Sequence, residues 1–122
     1  MTPRAVEVEV AARGSKAGYY TVTAILWPAA FERVDAIRRA RNPKQSISAI
    51  LAEAVAYWLE QADGVPTPLP PGPKLGWRTV TTQLSPEAHE RLQAVRAART
   101  PQPPKGVVLA EAVAYWLEEH GA

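Results

Sequence analysis

The hydrophobic and polar positions of this chain switch from a two-residue period to a helical one, and they do so twice. From Thr79 to Leu84 they alternate, with Val80, Thr82 and Leu84 pointing one way and Thr79, Thr81 and Gln83 the other, the mark of a half-buried strand. Ser85, Pro86 and Glu87 follow as an N-cap, a first-turn proline and an acidic charge, which together start a helix. Its apolar side is Ala88, Leu92 and Val95, matched earlier in the chain by Ala30, Val34 and Ile37. Arg99-Thr100-Pro101 and Arg41-Asn42-Pro43 end the two helices, because proline restricts the residue before it and cannot extend the hydrogen-bond ladder. A further helix is predicted after Ser46, and another after Pro103-Pro104. In the first of these Ile50, Ala54 and Trp58 lie beside Leu51, Val55 and Leu59, a wide face for burial. Tyr57 and Tyr115 fall off that face, next to Glu53 and Glu111 one turn earlier. They read as partly exposed packing residues or, alternatively, as a contact with another molecule.

The periods recur because the chain contains itself twice. Thr21 falls on Thr79, an offset of 58 residues, and the register holds without a gap to the C-terminus. LAEAVAYWLE from Leu51 to Glu60 returns identically from Leu109 to Glu118, and TVT, Pro28/Pro86, Glu32-Arg33/Glu90-Arg91 and Pro43/Pro101 also coincide. Two copies are too few for a solenoid, so a closed pair related by a pseudo-twofold axis is expected, each copy burying its apolar face against the other. The organisation expected is an N-terminal arm over 1–18, a repeat over 19–62, a proline-rich linker over 63–76 and a second repeat over 77–122, the two repeats sharing one core. The linker, DGVPTPLPPGPKLG, reads as an extended polyproline-like tether of about 40 Å. Within the arm, VEVEV from Val6 to Val10 reads either as an extra strand or as a frayed end.

Composition narrows the classes of function. The 122 residues are 47% hydrophobic and 21% charged, a globular balance, with no apolar run near the roughly 20 residues of a membrane span. There is no cysteine and no apolar leader in the first residues, from which a cytoplasmic location is expected. A net charge of +2 with a pI near 9.2 permits a nucleic-acid partner without demanding one. His89 and His120 have no second ligand at metal spacing, and no phosphate loop or nucleophile–base arrangement appears, so neither an enzyme nor a cofactor or metal protein is expected.

The order of strand, proline-started helix, turn and serine-capped helix, carried by LSPEAHERLQAV in the second copy and SISAILAEAVAYWL in the first, resembles the Arc/MetJ/CopG-like ribbon-helix-helix family of DNA-binding proteins. The likeness spans roughly Tyr19 to Ala62 and Trp77 to Gly121, and as a tandem fused pair it is similar to conjugation proteins of the TraY type. The resemblance implies a mainly α fold with a two-stranded antiparallel β-ribbon, the tandem ribbon-helix-helix forming an intramolecular pseudo-dimer whose ribbon enters the major groove of double-stranded DNA. Thr21, Thr23, Ile25, Thr79, Thr81 and Gln83 would then face the bases. Gln can pair bidentately with adenine, and Thr and Ile can meet a thymine methyl. Phosphates would sit at the second helix of each copy, near Ser46, Ile47 and Ser48 and near Lys105, Gly106 and Val107, with Lys44 and Lys105 adding charge. Arg13, Lys16, Lys74 and Arg78 precede the strands and would anchor the ribbon ends.

Three departures from the family pattern stand out. Ile25 replaces a polar outward residue, Trp27 stands where Ser85 caps the second copy, and Pro104 stands where Ser46 caps the first. Unequal half-sites follow. A one-residue slip of the first strand would exchange its two faces. The arginines Arg33, Arg38, Arg39 and Arg41 read as a solvated helix face with glutamate neighbours. The function implied is a transcriptional repressor or autoregulating antitoxin. The alternatives are a plasmid transfer or partition accessory protein, or an interaction module that has lost DNA binding and meets a protein, or itself, through the ribbon or Tyr57 and Tyr115.

Overall fold

The computed structural model describes residues 18–41 and 45–120. Among these the chain is mainly helical, with four helices and one two-stranded antiparallel sheet: β1 (Tyr20–Leu26), α1 (Pro28–Ala40), α2 (Ile47–Ala62), β2 (Arg78–Leu84), α3 (Pro86–Ala97) and α4 (Lys105–His120). The arm's VEVEV lies outside the described residues.

The strands form where alternation is cleanest. Register pairs Thr21 with Gln83, Thr23 with Thr81 and Ile25 with Thr79 on one face. Val22, Ala24, Leu26, Val80, Thr82 and Leu84 are buried on the other. The first strand has not slipped, since Val22, Ala24 and Leu26 supply a small, core-fitting set at alternate positions. Pro28 opens α1 with no side-chain hydrogen bond from Trp27, whereas the Ser85 hydroxyl accepts from the Ala88 amide at 3.2 Å to cap α3. Ser46 caps α2 in the same way at 3.0 Å from the Ala49 amide.

α2 packs against α4, and this helix pair backs the sheet, α4 against β1 and α2 against β2. Ile50, Leu51, Ala54, Val55, Trp58 and Leu59 of α2 are all buried, as are their counterparts Val108, Leu109, Ala112, Val113, Trp116 and Leu117 of α4. Each large side chain removed from water here contributes about 1.5–3 kcal/mol. The outer helices α1 and α3 add Ala30, Val34 and Leu92.

Contacts recur at the same offset of 58 residues. The Arg33 guanidinium donates to the Leu117 carbonyl at 3.0 Å and Arg91 donates to that of Leu59 at 2.7 Å, so each outer helix satisfies an orphan carbonyl near the end of the other half's core helix. Arg41 pairs with Glu53 at 2.5 Å and Arg99 with Glu111 at 2.9 Å. Two of the contacts join a residue to its own counterpart: the Thr23 and Thr81 hydroxyls lie 3.2 Å apart, and the Tyr57 and Tyr115 rings are centred 6.1 Å apart. The solvated-face reading of the arginines therefore needs correction. Arg38 and Arg39 do pair with Asp35 at the surface, but Arg33 and Arg41 tie elements together.

One place breaks the correspondence inside the sheet. Thr82 is fully buried, its hydroxyl donating to the Ser48 carbonyl at 2.6 Å while the Ser48 hydroxyl lies 3.4 Å from Thr82 Oγ1. Ala24 and Gly106 occupy the matching positions. There the helix backbone comes so near the strand that a Cβ on Gly106 would lie 2.7 Å from the Thr23 carbonyl oxygen.

The tether reading of 63–76 also changes. The segment is extended and contains neither helix nor strand, but its first half is a strap seated on the core. α2 ends in a left-handed pair, Asp63 at φ 55° and Gly64 at φ 72°, and the Gly64 amide returns to the Trp58 carbonyl at 3.3 Å. The Trp58 indole then donates to the Val65 carbonyl at 3.0 Å, and the Thr67 amide donates to Glu111 at 3.1 Å. Composition indicated an extended segment; burial of Gly64 and Thr67 shows that it is held in place.

Candidate nucleic-acid interface

The exposed face of the sheet brings together all six outward strand residues named from the sequence. Thr21 and Gln83, Thr23 and Thr81, and Ile25 and Thr79 stand as three neighbouring cross-strand pairs. Gln83 is half-buried and the other five are exposed, Ile25 at 37%. The face offers hydroxyls that donate and accept, an amide with both functions and an apolar contact, and none of its six residues is charged. Its chemistry suits reading the edges of bases more than neutralising phosphates.

Charge lies at the ribbon's ends, held by aromatic rings. At one end the Arg78 guanidinium lies 4.3 Å over the Phe31 ring and the Lys74 ammonium 5.0 Å over Trp77, whose ring is 5.8 Å from that of Trp27. Both residues are exposed. At the other end Tyr20 stacks flat on His89, with centroids 4.1 Å apart and planes 6° apart, and Lys105 Nζ lies 3.1 Å from His89 Nε2. Tyr20 matches Arg78 and His89 matches Phe31 at the 58-residue offset, so one architectural position carries a cation on a ring at one end and two stacked rings at the other. Burial, and then the charges of Lys105 and Arg96, hold the His89 imidazole below its ordinary range, so it stays neutral and Nε2 accepts from the lysine. In the sequence His89 is solitary, and no local signal marks Tyr20 or Phe31. The signal available was the offset alignment itself, which sets Phe31 on His89 next to the strand ends.

The two core-helix N-termini differ from the clamp expected of them. At α2 the amides of Ile47 and Ser48 precede the first intrahelical bond. The Ser46 hydroxyl is committed to its own helix and the Ser48 hydroxyl lies against Thr82. At α4 Lys105 and Gly106 open the first turn, but the Val107 amide donates to the Pro104 carbonyl at 3.1 Å. Val107 is therefore removed from the phosphate set, its donor taken by a tight proline-led turn, and Gly106 serves the close approach to β1. Arg13, Lys16 and Lys44 lie outside the described residues.

Among the described residues no group of three His, Asp or Glu side chains could hold a metal ion, and no helix is long and apolar enough to cross a membrane. Tyr57 and Tyr115 are half-buried and meet each other, with His120 edge-on to Tyr57 at 4.7 Å. Comparison with protein-family models, with curated proteins and with solved structures found no match to this chain.

Proposed function

We propose that the chain is a tandem ribbon-helix-helix protein whose two halves form an intramolecular pseudo-dimer, and that it binds double-stranded DNA sequence-specifically by inserting β1 and β2 into the major groove. One observation carries the reading: a two-stranded antiparallel ribbon with one face sealed by helices and the other presenting six uncharged, hydrogen-bonding or methyl-bearing side chains to solvent. A ribbon of this width fits the major groove. Two further observations support the pseudo-twofold. Thr23 meets Thr81 and Tyr57 meets Tyr115, as residues on an axis must when each is the other's counterpart.

Thr21, Thr23, Ile25, Thr79, Thr81 and Gln83 read bases. The first-turn amides of Ile47 and Ser48, those of Lys105 and Gly106, and the flanking Lys74 and Arg78 hold phosphates. The two ends of the ribbon present different pairs, Thr21 with Gln83 and Ile25 with Thr79, so the preferred site is an imperfect palindrome. A transcriptional repressor or autoregulating antitoxin is the leading role, and a transfer or partition accessory protein uses the same contact.

Two experiments test this. With about six phosphates neutralised, log affinity falls against log salt with a slope of about −5. Selection from random DNA should return unequal half-sites. Absence of binding at low salt would refute the reading and favour a protein-interaction module, and a perfect inverted repeat as the preferred site would refute the unequal ends.

A further inference from the structure

The strap that follows α2 occupies a site that exists twice. In the occupied copy the Trp58 indole donates to the Val65 carbonyl, Arg99 donates to the Gly64 carbonyl at 3.2 Å and to Glu111 at 2.9 Å, and the other Glu111 oxygen accepts the Thr67 amide at 3.1 Å. Pro66 and Pro68 flank Thr67, so between them the strap has one amide to give, and Glu111 takes it.

At the 58-residue offset stand Trp116, Arg41 and Glu53, where no extended segment among the described residues takes the strap's place; the His120 ring lies 5.0 Å from that of Trp116, and Gln45 accepts from Arg41 at 2.7 Å. The Trp116 indole Nε1 is buried and finds no hydrogen-bond partner among the described residues, although the side chain is only 1% exposed. Arg41 and Glu53 close on each other in a two-pronged pair, 2.5 and 3.0 Å, where Arg99 spends one nitrogen on the strap. The ion pair is the more open part of this copy, Trp116 being as buried as Trp58: the side chains of Arg41 and Glu53 are 33% and 39% exposed, those of Arg99 and Glu111 17% and 11%.

We propose that this second site binds an extended, proline-flanked peptide of a partner protein, of the Gly-Val-Pro-Thr-Pro kind that the strap itself exemplifies. The peptide places one carbonyl on Trp116 Nε1 and another on Arg41, displacing Gln45 and drawing one guanidinium nitrogen from Glu53, and the freed carboxylate oxygen accepts the amide between the peptide's two prolines. Prolines hold such a ligand extended before it binds, which limits its ordering cost. Trp116 lies ten residues along α4 from Gly106, about 15 Å from the ribbon at about 1.5 Å per residue, so the site is separate from the proposed DNA contact.

The test adds a capped synthetic peptide, DGVPTPLP, copied from 63–70, to the full chain, and follows binding by calorimetry and by the Trp116 indole N–H resonance, assigned by its absence in Trp116→Phe. The expected result is one-to-one binding, with the Trp116 resonance moving downfield. Affinity should fall about tenfold in Glu53→Gln, and equally for a peptide with Thr replaced by Pro, as the loss of a hydrogen bond to a charged group implies. Glu53 is partly exposed, so that variant does not depend on refilling the core. No binding at millimolar peptide overturns the proposal. So does a loss in Glu111→Gln as large as in Glu53→Gln, which would mean that the peptide merely replaces the strap.

Discussion

Replacing Gly106 by alanine sets two effects of opposite sign against each other. Gly106 lies in the first turn of α4, and helix propensity alone favours alanine there by up to about 1 kcal/mol. The added methyl, however, would meet the Thr23 carbonyl oxygen at 2.7 Å and Ala24 Cα at 3.3 Å. Both are backbone atoms of a strand hydrogen-bonded to its neighbour, so neither can rotate away, and the N-terminal turn of α4 must shift outward by several tenths of an ångström. Overpacking of this kind costs about 1–3 kcal/mol. The net expectation is a loss of about 1–2 kcal/mol, or roughly 4 °C of Tm per kcal/mol for a chain of this size. Urea denaturation measures it as a lower midpoint at unchanged slope. Ser48→Ala, at the matching position of α2, is the control: it keeps its Cβ, loses only a 3.4 Å contact, and should change stability by less than about 1 kcal/mol. A Gly106→Ala protein as stable as the parent, or more so, would refute the claim that the strand and helix are held that close.

Further outcomes follow from the buried polar groups. Thr82→Val removes the side-chain donor that the Ser48 carbonyl accepts beside its helical one and should cost about 1 kcal/mol in the same assay. Arg99→Ala strands the largely buried Glu111 carboxylate and should cost about 3 kcal/mol, whereas Arg41→Ala, at the more exposed copy of the pair, should cost under about 1 kcal/mol; equal losses would contradict the assigned burial. His89 is held below 6.5 when folded, so the unfolded chain binds more protons as pH drops through that value. Its contribution is full above the unfolded value and declines as pH falls below it, and His89→Gln should flatten the stability–pH curve there. Glu53, held down chiefly by its hydrogen bond from Arg41, contributes above the ordinary carboxylate range and loses that contribution as pH falls through its lowered folded value; Glu53→Gln should remove this acid-side slope.

What could be read from the sequence was local. Alternation in Thr79–Leu84, Ser and Pro at helix starts and the wide apolar face of LAEAVAYWLE each act within a few residues, so the strands, the four helices and the six outward side chains were legible. The strap was not. Gly-Val-Pro-Thr-Pro has the composition of a free tether, and its seat depends on Glu111, 44 residues beyond Thr67. The same holds for Arg33, whose carbonyl partner is 84 residues away, and for His89 of α3, whose stacking partner Tyr20 sits on β1. The family resemblance implies a phosphate contact at Val107, but Pro104 carries no capping side chain and its carbonyl takes that amide instead.

The unlike joints beneath the ribbon, a hydroxyl couple at Ser48 and Thr82 and a bare backbone approach at Gly106 and Ala24, belong to one polypeptide. In an association of identical chains every substitution is made twice, so a hinge of one kind on the left forces the same kind on the right. A single covalent chain is released from that doubling, and each end of its ribbon can be tuned by a mutation that leaves the other untouched.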